Sequence, residues 1–163
     1  MREARQIVEV GVARLAASRI TEEQLMALEQ SIDQMATASN VDQIRESNDL
    51  FHLTIGHASG NAFLRAMMIA LNSLLNKLVQ HEPDEYETFD LKIQGHREVY
   101  AAMVDRDPDG AARAMRNHIR TMGEHARKMQ ASTVEQSPAQ VEYATASIEN
   151  RLITRRPAVA LSA

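Results

Sequence analysis

Apolar residues recur at three- and four-residue spacing through the first part of the chain, which is the period of an amphipathic helix. The pattern predicts a first helix over residues 2–18. The stretch TEEQ is a capping box, in which Thr21 caps a second helix and Gln24 reaches back to it. A third helix spans about 41–58 and ends at the SGN that follows.

Residues 62–80 predict a fourth helix that is apolar over much of its surface. Such a helix is buried within the domain or covered by a partner. An acidic loop follows at 81–88, and a fifth helix spans about 89–106. Asp107 can cap a sixth helix with Pro108 at its first position, and that helix runs to about residue 130.

The last part of the chain, residues 131–163, differs in composition. ASTVEQSPAQ is typical of a linker, AQVEYATASIENRLI can form one more helix, and TRRPAVALSA has the composition of a tail. Strand alternation and internal repeats are not visible in the sequence. The pattern therefore predicts an all-α bundle of six helices, or seven with the additional one, and a domain over residues 2–130.

The composition mainly excludes certain classes of protein and of site. The chain has 163 residues, of which 44% are hydrophobic, enough for one domain with a core. Its formal net charge of -4 gives no basic face of the kind that DNA-binding modules carry. The absence of cysteine removes disulfides and thiolate metal sites and fits a cytoplasmic protein. Because no apolar run reaches membrane-spanning length, no membrane partner is expected.

The histidines are the most distinctive candidates for chemistry. A single helical histidine is usually solvated or hydrogen-bonded. Three receive that ordinary interpretation: His57, His81 and His125. The other three, His52, His96 and His118, form a set, because each lies in the middle of a predicted helix with apolar neighbours one turn away. Three imidazoles that point into one bundle can share a Zn²⁺, Ni²⁺ or similar ion.

Three stretches carry a resemblance to a known family: EARQIVEVGVARLAASRITEEQLMALEQSIDQM, NDLFHLTIGHASGNAFLRAMM and GHREVYAAMVDRDPDGAARAMRNHI. Their order, and the spacings of 44 and 22 residues between positions 52, 96 and 118, resemble the FCD domain. This is the effector-binding, C-terminal domain of the FadR-type GntR transcriptional regulators. The resemblance covers about residues 2–130 and implies an antiparallel all-α bundle that senses a ligand, forms a homodimer and is not an enzyme.

In many members of that family a metal ion is held by an Asp or Asn one turn before the first His, by that His and by two later ones. Carried over, the ligands are Asn48, His52, His96 and His118, around a divalent ion such as Zn²⁺ or Ni²⁺. The usual carboxylate position is occupied by Asn48, and the acid is one step along at Asp49. At about 100° per residue, Asn48 lies roughly 40° from His52 and Asp49 roughly 60° the other way, so Asp49 stays open as the substitute.

The resemblance also implies an effector contact and partners. Arg5 matches an arginine that faces the effector in family members, and a guanidinium can bind a carboxylate with two hydrogen bonds. Glu9, one turn on, can pair with Arg5 and orient it. The expected effector is a small carboxylate. Operator DNA is expected to bind only through an N-terminal winged helix-turn-helix domain that is absent from these residues.

Two other interpretations stay open at this point. A metal bound by three histidines can activate water, although no His-Glu-x-x-His run, phosphate loop or nucleophile elbow accompanies it in this sequence. Alternatively, the three histidines can donate hydrogen bonds directly to a small molecule in a sensor of the same fold that holds no metal.

Overall fold

A computed structural model describes residues 2–79 and 89–136 of the chain. These residues form six helices: α1 (Arg2–Ala17), α2 (Glu22–Ala36), α3 (Val41–Ala58), α4 (Ala62–Val79), α5 (Phe89–Val104) and α6 (Pro108–Gln136). The described ranges contain no β-strand, so the predicted all-α fold is confirmed. The acidic loop at 81–88 and the additional helix within 139–153 lie outside the described residues.

The ends of the helices follow from local hydrogen bonds. The side chain of Thr21 accepts from the backbone N–H of Gln24 at 3.2 Å, and Oε1 of Gln24 accepts from the backbone of Thr21 at 3.1 Å. This completes the predicted capping box of α2. Asp107 accepts from the backbone two residues on at 3.1 Å, and Pro108 is the first residue of α6. After α3, Gly60 has a φ of 65°, a left-handed conformation that favours glycine.

Two helices end elsewhere than the sequence predicts. α5 ends at Val104, and Arg106 follows with a φ of 49°, which is incompatible with a right-handed helix. α6 continues past the expected end near residue 130 and reaches Gln136. Residues 131–136 contain no proline or glycine that would end the helix earlier. Part of the predicted linker is therefore helical.

Helix α3 contacts α1, α2 and α4, and α1 also contacts α4. Both α1 and α2 also contact α5. Full burial of a large apolar side chain stabilises a fold by about 1.5–3 kcal/mol. The core combines small residues of α1 with larger side chains from the other helices: Ala13, Ala16, Ala17, Leu28, Met35, Phe51, Ile55, Met68, Val99, Met103 and Met115. The small residues let the backbone of α1 approach its neighbours closely.

The chain divides into two compact units, Met1–His125 and Ala126–Ala163. Of the second unit the structure describes residues 126–136, the last part of α6. Within the first unit α1 and α6 run in opposite directions. Arg14, near the end of α1, pairs with Asp109 at the start of α6, whereas Arg2, at the start of α1, packs against Gly123 further along α6. Among the described helices, none combines the length and apolar composition that crossing a bilayer requires.

Candidate metal and effector site

Three histidines from three helices meet in the interior of the bundle. His52 of α3, His96 of α5 and His118 of α6 have 0%, 0% and 4% of their surface exposed. Their ring centroids are 5.2 Å apart for His52 and His96, 4.8 Å for His96 and His118, and 5.6 Å for His52 and His118. The three side chains therefore converge as the sequence predicts.

The donor atoms of this cluster fit a single metal ion. One ring nitrogen from each histidine lies within 4.8 Å of the other two. Nε2 of His52, both ring nitrogens of His96 and Nδ1 of His118 are buried without a hydrogen-bond partner. A buried polar atom left without a partner costs about 1–3 kcal/mol. An ion bound at about 2.0–2.1 Å from imidazole nitrogens, as Zn²⁺ is, would remove part of that cost.

Burial shifts two of the histidines toward the form that binds metal. Desolvation is the largest cause that lowers the pKa of His96, and the charges of His118 and His52 follow. Desolvation also lowers the pKa of His118 most, ahead of the charges of His52 and Arg5. Both imidazoles are therefore neutral at pH 7, and neutral imidazole is the metal ligand.

Two neighbours fix the positions of the rings. Phe51 stacks on His96 with ring centroids 4.0 Å apart and an interplanar angle of 6°. Gly95 leaves room for His118, because a Cβ at position 95 would overlap Nδ1 of that ring and lie 3.1 Å from its Cγ. The ring of His118 therefore packs directly against the backbone of Gly95. No sequence pattern had assigned a role to Gly95.

A buried carboxylate lies beside the cluster. Glu9 of α1 has no solvent exposure, and its Oε2 is 3.1 Å from Nδ1 of His52. The ring N–H is not aligned well enough for a hydrogen bond, so this is a close electrostatic contact. Arg5 donates to Glu9 from Nε to Oε1 at 2.5 Å and from Nη2 to Oε2 at 3.1 Å. The predicted pairing of Arg5 with Glu9 is confirmed, and the contact with His52 is additional.

The charge of Glu9 is maintained by its partners. Burial alone raises the pKa of Glu9, but the contacts with His52 and Arg5 outweigh burial and hold that pKa well below its ordinary value. The carboxylate is therefore ionised at neutral pH. A signal for this buried role exists in the sequence, because Glu9 interrupts an apolar stretch between Val8 and Val10.

Two cationic side chains act on the cluster. The side chain of Arg5 is 15% exposed, and Lys92 is half-buried one turn before His96 on α5. The charges of both lower the pKa of His96 and of His118. Arg5 and Lys92 therefore raise the electrostatic potential at both rings.

The predicted fourth ligand lies on the helix that carries His52. Asn48 and Asp49 are both half-buried on α3. Asn48 precedes His52 by one turn and shares its side of the helix. In the described ranges, the group of histidine and acidic side chains with converging ligand atoms consists of the three histidines and does not include Asp49. Coordination by Asn48, or by Asp49 in its place, stays a prediction.

Of the remaining histidines that the structure describes, His57 and His125 do not belong to that group. His57 is exposed on α3, and His81 lies outside the described residues. His125 is half-buried near the end of the first compact unit, and its Nε2 is buried without a hydrogen-bond partner.

A family model of the FCD domain matches residues 1–121. The chain belongs to the FCD domain family. This confirms the resemblance of the sequence to the family. An FCD domain is a regulatory effector-binding domain rather than an enzyme, so the metal-dependent enzyme is set aside.

Curated relatives of this FCD domain are transcriptional regulators. It is 30% identical over 118 residues to the uncharacterized HTH-type transcriptional regulator YcbG of Bacillus subtilis (strain 168), covering 72% of this chain and 49% of that protein. It is 28% identical over 128 residues to the HTH-type transcriptional repressor RspR of Escherichia coli (strain K12), covering 77% of this chain and 56% of that protein. It is 30% identical over 118 residues to the HTH-type transcriptional repressor NanR of Cronobacter sakazakii, covering 70% of this chain and 45% of that protein. The chain spans about half the length of these relatives.

A solved structure supports the fold of the FCD domain. The GntR protein of Streptococcus agalactiae superposes with a TM-score of 0.64 at 24% sequence identity, covering 74% of this chain and 55% of that protein. This likeness shows that the two proteins share the same helical fold.

Proposed function

We propose that this FCD domain is the ligand sensor of a GntR-type regulator and binds a small carboxylate at a divalent metal ion. The observation that carries the proposal is the buried group of His52, His96 and His118, with ring nitrogens that lack other partners. In the proposal Asn48 is the fourth ligand, with Asp49 as its substitute. A set of imidazole and amide donors suits Zn²⁺ or Ni²⁺.

The charges around the site favour an anionic effector. Three neutral imidazoles and one amide leave the charge of an ion uncompensated, and the carboxylate of Glu9 is already shared with Arg5. A charge in a water-poor interior is costly unless an anion or water completes its surroundings. Arg5 can add two hydrogen bonds to a carboxylate. A small organic acid meets each of these requirements.

Effector binding can be transmitted because the site joins four helices. Glu9 and Arg5 lie on α1, His52 on α3, His96 on α5 and His118 on α6. A ligand that contacts these side chains changes the relative stability of alternative packings of the helices. In the full regulator, which we place in the cytoplasm, this change would alter the spacing of N-terminal winged helix-turn-helix domains on operator DNA.

A homodimer is part of the proposal. The outer face of α4 exposes three large apolar side chains: Phe63, Ile69 and Leu74. Exposed apolar patches mark interaction surfaces. Paired half-sites in operator DNA match a protein with two-fold symmetry, so a second copy of the chain is the partner we assign to this face.

The proposal is tested by metal analysis together with ligand binding. The purified chain is expected to contain near-stoichiometric divalent metal. In a thermal-shift screen of small organic acids, at least one is expected to stabilise the protein, and chelation should abolish that stabilisation. Stabilisation that survives complete metal removal would contradict the role of the metal. It would favour the metal-free sensor, in which the histidines and Arg5 contact the ligand directly.

The fourth ligand is tested by substitution on α3. Asn48→Asp is expected to tighten Zn²⁺ binding, because a carboxylate adds a negative charge to the coordinating set. Asp49→Ala is the matched control and is expected to leave Zn²⁺ affinity unchanged. Loss of Zn²⁺ binding in Asp49→Ala would instead assign the ligand to Asp49.

A further inference from the structure

We infer that Glu9 is a positioning residue that couples Arg5, the predicted effector contact, to His52, the predicted metal ligand. The inference rests on the proposed function and extends it to a residue outside the coordinating set. A single carboxylate touches both partners, since Oε2 of Glu9 accepts from Arg5 at 3.1 Å and lies 3.1 Å from Nδ1 of His52.

On the histidine side, Glu9 selects which ring nitrogen is available to an ion. Because Oε2 faces Nδ1, that nitrogen carries the proton and Nε2 of His52 keeps its lone pair. A carboxylate 3.1 Å from this ring nitrogen also restricts the orientation of the ring. Phe51 limits rotation further, because its ring packs edge-on against His52 with centroids 5.6 Å apart.

On the arginine side, the same carboxylate is partly neutralised. Arg5 donates to both oxygens of Glu9, which draws negative charge away from His52. A carboxylate effector that binds the guanidinium of Arg5 weakens the hydrogen bonds from Arg5 to Glu9. More of the charge of Glu9 then acts on His52, whose affinity for a cation rises. Effector and metal therefore strengthen each other's binding, and the coupling is reciprocal by linkage.

Burial makes this coupling effective. Glu9 has no solvent exposure, so water does not screen its interactions with Arg5 and His52. A buried carboxylate without a partner is strongly destabilising. When the interaction of Glu9 with Arg5 weakens, its interaction with His52 must therefore strengthen. An ordinary structural ion pair would stabilise α1 on α3 without changing metal affinity, and this difference can be measured.

The first experiment measures Zn²⁺ affinity of the full chain by competition with a chromophoric chelator. Glu9→Gln keeps the shape of the side chain and removes its charge, and it is expected to weaken Zn²⁺ binding by about 10–100-fold. Glu3→Gln is the matched control, because Glu3 is an exposed carboxylate in the first turn of the same helix, and no change is expected. Unchanged affinity in Glu9→Gln, while the unsubstituted chain binds Zn²⁺, would overturn the inference alone. Failure of the unsubstituted chain to bind Zn²⁺ would contradict the proposed function itself.

The second experiment asks whether Arg5 acts through Glu9. Arg5→Lys keeps a cation and removes the two-nitrogen contact, so it is expected to tighten Zn²⁺ binding several-fold in the unsubstituted background. In the Glu9→Gln background the effect is expected to vanish. An equal effect in both backgrounds would show that Arg5 acts on the ion directly and would overturn the coupling.

A further variant keeps the test decisive if Glu9→Gln does not fold. Glu9→Asp retains the charge and shortens its reach to His52. Helix content measured by circular dichroism is expected to be retained, and Zn²⁺ affinity to fall. Retained affinity in folded Glu9→Asp would overturn the positioning role.

Discussion

The interior of the bundle and the outer face of α4 depart from the usual distribution of polarity in opposite directions. Inside, three imidazoles and the Glu9 carboxylate are buried among apolar side chains. Outside, Phe63, Ile69 and Leu74 are 73%, 49% and 49% exposed. Buried polar groups and exposed apolar groups both cost free energy without a partner. The proposed function gives each region a different partner, an ion with its anion inside and a second copy of the chain outside.

The two regions also differ in how strongly they depend on the exact positions of individual atoms. The interior depends on directions and single atoms, because Gly95 makes room for the ring of His118 and Phe51 stacks on that of His96. The outer face of α4 depends on apolar area, which is roughly additive and tolerates exchange between apolar residues. Small changes should therefore damage the interior site, whereas only the introduction of charge should damage the outer face.

The largest expected effect is loss of the ion from the interior. His96→Ala removes one ligand and admits water to the others, so Zn²⁺ affinity is expected to fall by more than about 100-fold, beyond the range for residues that only support a ligand. Elemental analysis after gel filtration measures this. His57→Ala, which alters an exposed histidine of α3, should retain full metal content. Full metal content in His96→Ala would place the ion elsewhere.

A single methyl group should disrupt the same site. In Gly95→Ala the new Cβ would collide with His118, and overpacking of this kind costs about 1–3 kcal/mol. Urea unfolding and Zn²⁺ titration are both expected to show a loss. Gly11→Ala is the control, because a Cβ there meets nothing within 4 Å and should stabilise α1 by about 0.5–1 kcal/mol. Unchanged Zn²⁺ affinity in Gly95→Ala would mean that the position of His118 does not matter.

A charge on the outer face tests the other half of the comparison. Phe63→Glu is expected to weaken self-association by about 2 kcal/mol, the scale of an interface hot spot, as measured by light scattering over a dilution series. Met26→Glu places the same charge on an exposed apolar position of α2 and should leave the dimer intact. Zn²⁺ affinity is expected to be unchanged in both variants. A monomeric unsubstituted chain at micromolar concentration would contradict the dimer.

The smallest expected effect is the pH dependence of stability in the presence of chelator. The pKa values of His96 and His118 lie below the ordinary 6.5 in the folded chain, so the unfolded chain binds more protons between those values. The contribution of these two histidines to the free energy of unfolding is then complete above pH 6.5. It is lost as the pH falls toward their pKa values in the folded chain. Thermal unfolding between pH 7.5 and 5.5 should show this decrease, and His96→Leu should reduce its slope. A melting temperature that rises with acidity would contradict the burial of neutral imidazoles.

The sequence predicts most of the fold because helix starts and ends depend on local contacts. The capping box of Thr21, the cap at Asp107 and the bounds of α3 all involve residues a few positions apart. The pairing of Arg5 with Glu9 is equally local, at a spacing of one helical turn. The convergence of the three histidines also follows from their positions within apolar faces.

The contacts that the sequence does not reveal depend on how one helix is rotated against another. Glu9 meets His52 only because α1 packs on α3 at a particular height and angle, which spacing along a single helix does not determine. The fit of His118 against Gly95 likewise joins α6 to α5. A buried position for Glu9 could be predicted from its apolar neighbours, whereas the identity of its second partner required the structure.

The most direct test of the proposed sensor is calorimetric titration of a panel of small carboxylates into the Zn²⁺-loaded chain and into the same chain after chelation. We expect at least one acid to bind the loaded chain, with binding lost after chelation and weakened in Arg5→Lys. Equal affinity of every binding acid for the loaded and the chelated chain would contradict a metal-centred effector site.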